Sequence, residues 1–91
     1  LDYPGVSPVH CFLKDSGRAR YTSATDEEAL EAYKIVTKFE NLNPSLEPSH
    51  AFAEAIKIAP KLSSDTVIIV NSCGDAQKDR DILKKRLGNF K

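Results

Sequence analysis

Hydrophobic and polar residues recur at helical spacing in the middle of the chain. Leu30, Tyr33 and Val36 lie three residues apart, which predicts an amphipathic helix of about four turns. Residues 25–28 (TDEE) place a threonine three positions before a glutamate, the arrangement of a capping box at a helix start. The dipeptide at 43–44 (NP) opposes continuation, because a residue before proline disfavours helical backbone.

Three further segments are predicted to be helical. They are Pro8 to Ser16, Pro48 or Ser49 to about Ala59, and Lys78 to Leu87. The second leaves so few polar positions that we expect it to be mostly buried. Glycines follow the first and the last of these segments, at Gly17 and Gly88, as expected of helix C-terminal caps.

Two short segments are predicted to be β-strands. Thr66 to Val70 is β-branched almost throughout and lacks alternation, a pattern typical of a strand buried on both faces of a parallel sheet. Ser45 to Glu47 is expected to form a brief strand. Together with the helices, these strands predict a strand–helix–strand–helix core unit over residues 45–88 with a right-handed crossover. The predicted fold class is therefore α/β, a fragment of a parallel sheet flanked by helices.

Composition limits the classes of function. The chain has 91 residues, with 13 basic and 13 acidic side chains, so it makes at most one small domain and has no net field that attracts nucleic acid or anionic membranes. No apolar run approaches the roughly 20 residues that span a bilayer. Cys11 and Cys73 lie in no CxxC pair, so we expect neither zinc nor a disulfide framework, and free thiols favour a cytoplasmic location.

The chain opens on Leu1 and contains no methionine. Two interpretations remain, a processed mature chain or a piece of a longer one. The second is favoured, because two strands are too few for a parallel sheet that must be covered on both faces.

Polar side chains follow the end of each predicted strand. Glu47 ends the first, and residues 71–74 (NSCG) follow the second. Both ends would lie on one sheet edge, where open α/β sheets bind ligands. Glu47 is either a ligand contact or proton carrier, or a helix N-terminal acid stabilised by the dipole. Residues 71–74 either place a donor against a ligand ring or form a tight turn that caps the next helix.

Two other polar residues have simpler interpretations. His50 is expected to be a core histidine that is hydrogen-bonded to the backbone rather than a catalytic base. Asp2 precedes a Pro-Gly pair and is either an Asx-turn residue or part of a lid over a site.

Five ordered motifs resemble those of one enzyme family. They are Leu1–Pro4 (LDYP), Gly17–Ala19 (GRA), Thr25–Ala32 (TDEEALEA), Pro44–Ala51 (PSLEPSHA), and Val70–Gly74 (VNSCG) with Lys78-Asp79. In this order they resemble the C-terminal segment of the tryptophan synthase beta subunit, a pyridoxal-phosphate enzyme. The resemblance covers essentially the whole chain.

The resemblance implies a fold-type II pyridoxal-phosphate architecture, a sheet with helices on both faces. Residues 1–91 would be the C-terminal portion of a larger catalytic domain. The reaction implied is that of a lyase in tryptophan biosynthesis: β-replacement, in which L-serine is dehydrated and indole adds to give L-tryptophan. The implied partners are a tryptophan synthase alpha subunit and a second beta subunit, and no nucleic acid or membrane.

The resemblance also implies roles for individual residues. Asp2 would close over the substrate. Glu47, Cys73 and Gly74 would line the cofactor, with Cys73 standing where the family has a serine that meets the pyridine nitrogen. The backbone carbonyls of Tyr3 and Gly5 would help to hold a monovalent cation.

The chain departs from the family at the polar residues that follow the second predicted strand. A thiol at Cys73 is a weaker hydrogen-bonding group than a hydroxyl, and residues 75–77 (DAQ) stand where Arg-Gly-Asp is usual. The family's Schiff-base lysine, catalytic glutamate and glycine-rich phosphate cup have no match here, so we expect the isolated chain to be inactive. The alternatives are a stand-alone, non-catalytic α/β binding module and a family relative that acts on another amino acid.

Overall fold

A computed structural model describes residues 5–74 and 76–88 of the chain. Over these residues it contains four α-helices, α1 (Pro8–Asp15), α2 (Asp26–Glu40), α3 (Leu46–Ile58) and α4 (Arg80–Leu87), and two 3₁₀ turns, Ala59–Lys61 and Ala76–Asp79. Irregular segments join them. Within the described ranges, no helix is long and apolar enough to cross a membrane.

The capping box predicted at the start of α2 is confirmed. The Glu28 backbone N–H donates to Thr25 Oγ1 at 3.1 Å, and the Thr25 N–H donates to Glu28 Oε1 at 2.8 Å. The helix ends at Asn41, which adopts the left-handed conformation with φ 54°. This conformation is one that asparagine tolerates better than most residues.

The helix predicted from Pro8 is also confirmed, but it lies on the surface. Its N-cap is Ser7, whose hydroxyl accepts a bond from the Val9 N–H at 3.1 Å, and Gly17 follows its end with φ +76°. None of its residues is buried. Phe12, for example, is 67% exposed.

The core lies between α2 and α3. The buried hydrophobic residues are Ala29, Leu30, Ala32, Tyr33, Val36, Leu46 and Ala53. Several are alanines, so the two helices can approach closely. A hydrogen bond holds the loop between the helices against α2: the Tyr33 hydroxyl donates to Asn43 Oδ1 at 2.9 Å.

The predicted sheet is not found. The described residues contain no β-strand, so the α/β fold class predicted from the sequence is wrong for this structure. Residues 66–70 are not paired as a strand, and Val67 and Ile69 are 82% and 90% exposed. A β-strand needs a neighbouring strand to bond its N–H and C=O groups, and no described segment supplies one.

The brief strand predicted at residues 45–47 is wrong for a different reason. Ser45 is the N-cap of α3, and Leu46 and Glu47 already belong to its first turn. Pro48 had suggested a later helix start, but proline is tolerated throughout the first turn because N–H groups there have no partner within the helix. Over the described residues 45–74 and 76–88, the predicted strand–helix–strand–helix unit is instead α3, the 3₁₀ turn Ala59–Lys61, an irregular segment, the 3₁₀ turn Ala76–Asp79 and α4.

Glu28 also links α2 to α3, and this gives a pH prediction. The Thr25 backbone N–H and the Lys57 ammonium, 3.1 Å away, lower the pKa of Glu28 to about 2 from 4.5. A lowered folded-state pKa stabilises the fold above the unfolded pKa, and this contribution is lost as the pH falls towards the folded pKa. The stability of the chain should therefore decline between about pH 4.5 and pH 2.

Glu28→Gln should flatten this decline, measured as the urea midpoint of unfolding against pH by circular dichroism. Glu40→Gln, at the exposed end of the same helix, is the control and should keep the slope of the unmodified chain. Equal slopes for the Glu28→Gln variant and the unmodified chain would contradict the assignment.

Candidate functional site

The first turn of α3 meets the segment that precedes α4. Ser45 Oγ donates to the Cys73 carbonyl at 2.9 Å, and the Leu46 N–H donates to Asp79 Oδ2 at 2.7 Å. These bonds join parts of the chain that are 28 and 33 residues apart. We call the residues at this contact the junction cluster: Ser45, Leu46, Glu47, Cys73, Gly74, Lys78 and Asp79.

Two polar residues of the cluster and one next to it are buried and hydrogen-bonded. Ser45, Ser49 and Asp79 are 2%, 0% and 4% exposed. Ser49 Oγ donates to the Ser45 carbonyl at 2.8 Å. Buried polar groups that lack partners are costly, so these bonds restrict how the first turn of α3 can move.

Glu47 is oriented by an ion pair at the rim of the cluster. Lys78 Nζ lies 3.0 Å from Glu47 Oε1 and 2.7 Å from Oε2, and both side chains are partly exposed. Pairs of this kind add at most about 1 kcal/mol of stability. The ion pair matters for the geometry of the site, because it holds the Glu47 carboxylate on the side of the cluster where Gly74 lies.

Both the backbone conformation at position 74 and the side chains around it require a glycine. Its φ is +85°, and a Cβ atom there would lie 2.9 Å from Ser45 Oγ and 3.5 Å from Glu47 Oε2. No side chain larger than hydrogen fits without displacing Ser45. The neighbouring Cys73 is exposed, with a free thiol.

The structure thus brings together three residues that were singled out from the sequence, Glu47, Cys73 and Gly74. They do not meet at a sheet edge, as expected, but through bonds between a helix N-terminus and an irregular segment. Their role as cofactor ligands stays a prediction.

The other predicted site residues lie elsewhere. Asp2 and Tyr3 fall outside the described residues. Gly5 is exposed, and a Cβ atom there would meet nothing within 4 Å. The monovalent-cation site at Tyr3 and Gly5 stays a prediction. The part of the chain that the structure describes contains no group of three or more histidine, cysteine or acidic side chains that could hold a metal ion.

His50 is hydrogen-bonded to the backbone, as predicted, but it is only partly buried and is not the core histidine that was expected. Its Nδ1 lies 2.9 Å from the Leu46 carbonyl, and because a carbonyl only accepts, Nδ1 carries the proton. Its Nε2 lies 3.5 Å from Asp26 Oδ1, and the side chain is 25% exposed. Because Nδ1 already carries a proton, the contact with Asp26 is attractive only when Nε2 is protonated as well.

The sequence interpretation missed Ser45, Lys78 and Asp79 as parts of the site. Ser45 had been assigned to a strand, although a serine before a helical stretch is a preferred N-cap. Lys78 and Asp79 had entered only as the start of the predicted last helix and as part of a motif match. Nothing in the local pattern around Asp79 indicates that it reaches a backbone group 33 residues away.

Comparison with known proteins decides the family. No family model matches the chain. Curated relatives named tryptophan synthase beta chain are 52% identical in Cereibacter sphaeroides and in Roseobacter denitrificans, and 51% identical in Bordetella petrii. Each match covers 97% of this chain. The chain belongs to the tryptophan synthase beta chain family.

The resemblance drawn from the five motifs is therefore confirmed. The chain spans 22% of the length of each of these three relatives. It corresponds to a fraction of a beta chain, which agrees with a structure that contains one small helical core and a polar cluster at its edge.

The close approach at Gly74 gives a testable prediction. Gly74→Ala should destabilise the chain more than Gly17→Ala, although both glycines have a similar positive φ. Backbone strain costs about 1–2 kcal/mol at either position, but only at Gly74 would the new methyl group meet Ser45 Oγ at 2.9 Å. Loss of the bond from Ser45 to Cys73 should add about 1 kcal/mol.

The measurement is the free energy of unfolding in urea. Gly17→Ala is the matched control, because a Cβ atom there meets nothing within 4 Å. Equal losses at the two positions would show that Gly74 is needed for its backbone conformation alone.

Proposed function

We propose that this chain is part of a tryptophan synthase beta subunit and forms one wall of its pyridoxal-phosphate site. The subunit is a lyase that makes L-tryptophan from indole and L-serine by β-replacement. The observation that carries the proposal is 52% identity over 97% of the chain to beta chains. The junction cluster supports it, because the residues that the family places at the cofactor are close together.

The residues present fit one wall of such a site. Gly74 lets the backbone beside Cys73 approach Ser45 closely, an approach that a Cβ atom would prevent. The Cys73 thiol is exposed, and Lys78 holds the Glu47 carboxylate on the side of the cluster where Gly74 lies. When bound, the cofactor supplies an electron sink for the amino-acid carbanion.

The residues of this chain would orient the ring. The Cys73 thiol would face the pyridine nitrogen, and because a thiol is a weak hydrogen-bonding group, it would do little to hold a proton there. Glu47, held by Lys78, would lie on the same side of the cofactor. Asp2 would close over the substrate, and the carbonyls of Tyr3 and Gly5 would contribute to a monovalent-cation site.

The wider assignments follow from the same proposal. Residues 1–91 form the C-terminal portion of the catalytic domain, and the subunit works with an alpha subunit and a second beta subunit in the cytoplasm. The free thiols of Cys11 and Cys73 agree with a reducing compartment.

The 91-residue chain alone should be inactive, because the Schiff-base lysine and the phosphate cup have no match in it. The test incubates the chain with pyridoxal phosphate, L-serine and indole, and measures tryptophan by chromatography. A full-length beta chain that carries these residues is the positive control and should make tryptophan. If the full-length protein instead uses another amino acid, the assignment of substrate fails, and if it binds no pyridoxal phosphate, the assignment as an enzyme fails.

The thiol at Cys73 gives a second test. In the full-length beta chain, Cys73→Ser should shift the absorption maximum of the bound cofactor, because a hydroxyl bonds the pyridine nitrogen more strongly than a thiol does. Cys11→Ser changes the same group on α1 and is the control, with an unchanged spectrum. Identical spectra for the two variants would place Cys73 away from the ring.

A further inference from the structure

Asp79 is a buried carboxylate for which the family resemblance implies no role. It ends the 3₁₀ turn Ala76–Asp79 and is 4% exposed. Burying a carboxylate is costly unless it is hydrogen-bonded. Its Oδ2 accepts from the Leu46 N–H at 2.7 Å, a length typical of a charge-assisted bond.

This bond satisfies the first N–H group of α3. Ser45 occupies the N-cap position but makes no side-chain cap bond, and its hydroxyl donates to the Cys73 carbonyl. One of the free N–H groups of the first turn is therefore satisfied by Asp79, and a negative charge at a helix N-terminus is also favoured by the helix dipole.

The bond also fixes the spacing of the cluster. Glu47 directly follows Leu46, while Cys73 and Gly74 lie in the segment that leads into the turn ending at Asp79. Two buried or part-buried bonds, Ser45 to Cys73 and Leu46 to Asp79, therefore join the two sides of the cluster. Removing the bond to Asp79 leaves the Ser45–Cys73 bond and the partly exposed Glu47–Lys78 ion pair to hold the two sides, which is a weaker connection than all three together.

We propose that Asp79 is a positioning residue, which caps α3 at Leu46 and thereby sets the placement of Glu47 relative to Cys73. This inference rests on the proposed function, because it takes these two residues to face pyridoxal phosphate. Asp79 itself does not touch the cofactor. It acts through the first turn of α3 on one side and through residues 73–78 on the other.

The test uses a full-length beta chain with Asp79→Ala, Asp79→Asn and, as control, Asp81→Ala. Asp81 is an exposed acid in the first turn of α4. The measurements are the absorption maximum of bound pyridoxal phosphate, kcat and KM for L-serine, and amide hydrogen exchange in the peptide that contains Leu46.

Asp79→Ala should lower kcat/KM by about tenfold or more, the scale expected for loss of one charge-assisted bond, shift the absorption maximum and speed exchange. Asp79→Asn should remain within about threefold of the unmodified enzyme, because the amide oxygen can accept the same bond. Asp81→Ala should match the unmodified enzyme in every measurement. If Asp79→Ala does not fold, Asp79→Glu takes its place, since it keeps the charge but displaces the carboxylate, and it should shift the absorption maximum.

Other outcomes would overturn the inference. A folded Asp79→Ala with lower thermal stability but an unchanged spectrum and kcat/KM would make Asp79 a structural cap only. If Asp79→Asn lowered kcat/KM as much as Asp79→Ala does, the activity would depend on the negative charge of Asp79 and not on its hydrogen bond to Leu46. An unmodified full-length protein that binds no pyridoxal phosphate would overturn the proposed function itself, and this inference with it.

Discussion

The packing of α3 against α2 is the constraint on which the rest of the structure depends. The buried side chains of the two helices, with alanines at several contact positions, form the core. Two polar contacts with the first turn of α2, from Lys57 to Glu28 and, when His50 is protonated, from His50 to Asp26, favour one relative placement. The first turn of α3 is thereby held in one place, and the junction cluster is built on that turn.

The sequence predicted those elements whose structure is determined locally. The capping box at Thr25 and Glu28, the helical spacing of Leu30, Tyr33 and Val36, and the glycines after α1 and α4 each act over a few residues. Such signals hold whether or not the rest of the fold is present. For this reason the helices predicted around them were confirmed, with bounds that differ by a few residues.

The prediction of strands is wrong because strand formation is not determined by local sequence. Residues 66–70 have the composition of a buried strand, but a strand exists only when a neighbour accepts and donates its backbone bonds. With no such neighbour in the described segments, β-branched side chains such as Val67 and Ile69 stay in solvent. At residues 45–47 the error was different, because Pro48 was taken as the start of a helix that begins two residues earlier.

The site shows how a correct grouping can follow from an incorrect architecture. Glu47, Cys73 and Gly74 were expected to meet because parallel strands end at one sheet edge. They meet instead because Ser45 and Leu46 donate to Cys73 and Asp79, bonds that require no sheet. The cluster therefore depends on hydrogen bonds to backbone groups within this chain and on the α2–α3 core beneath them.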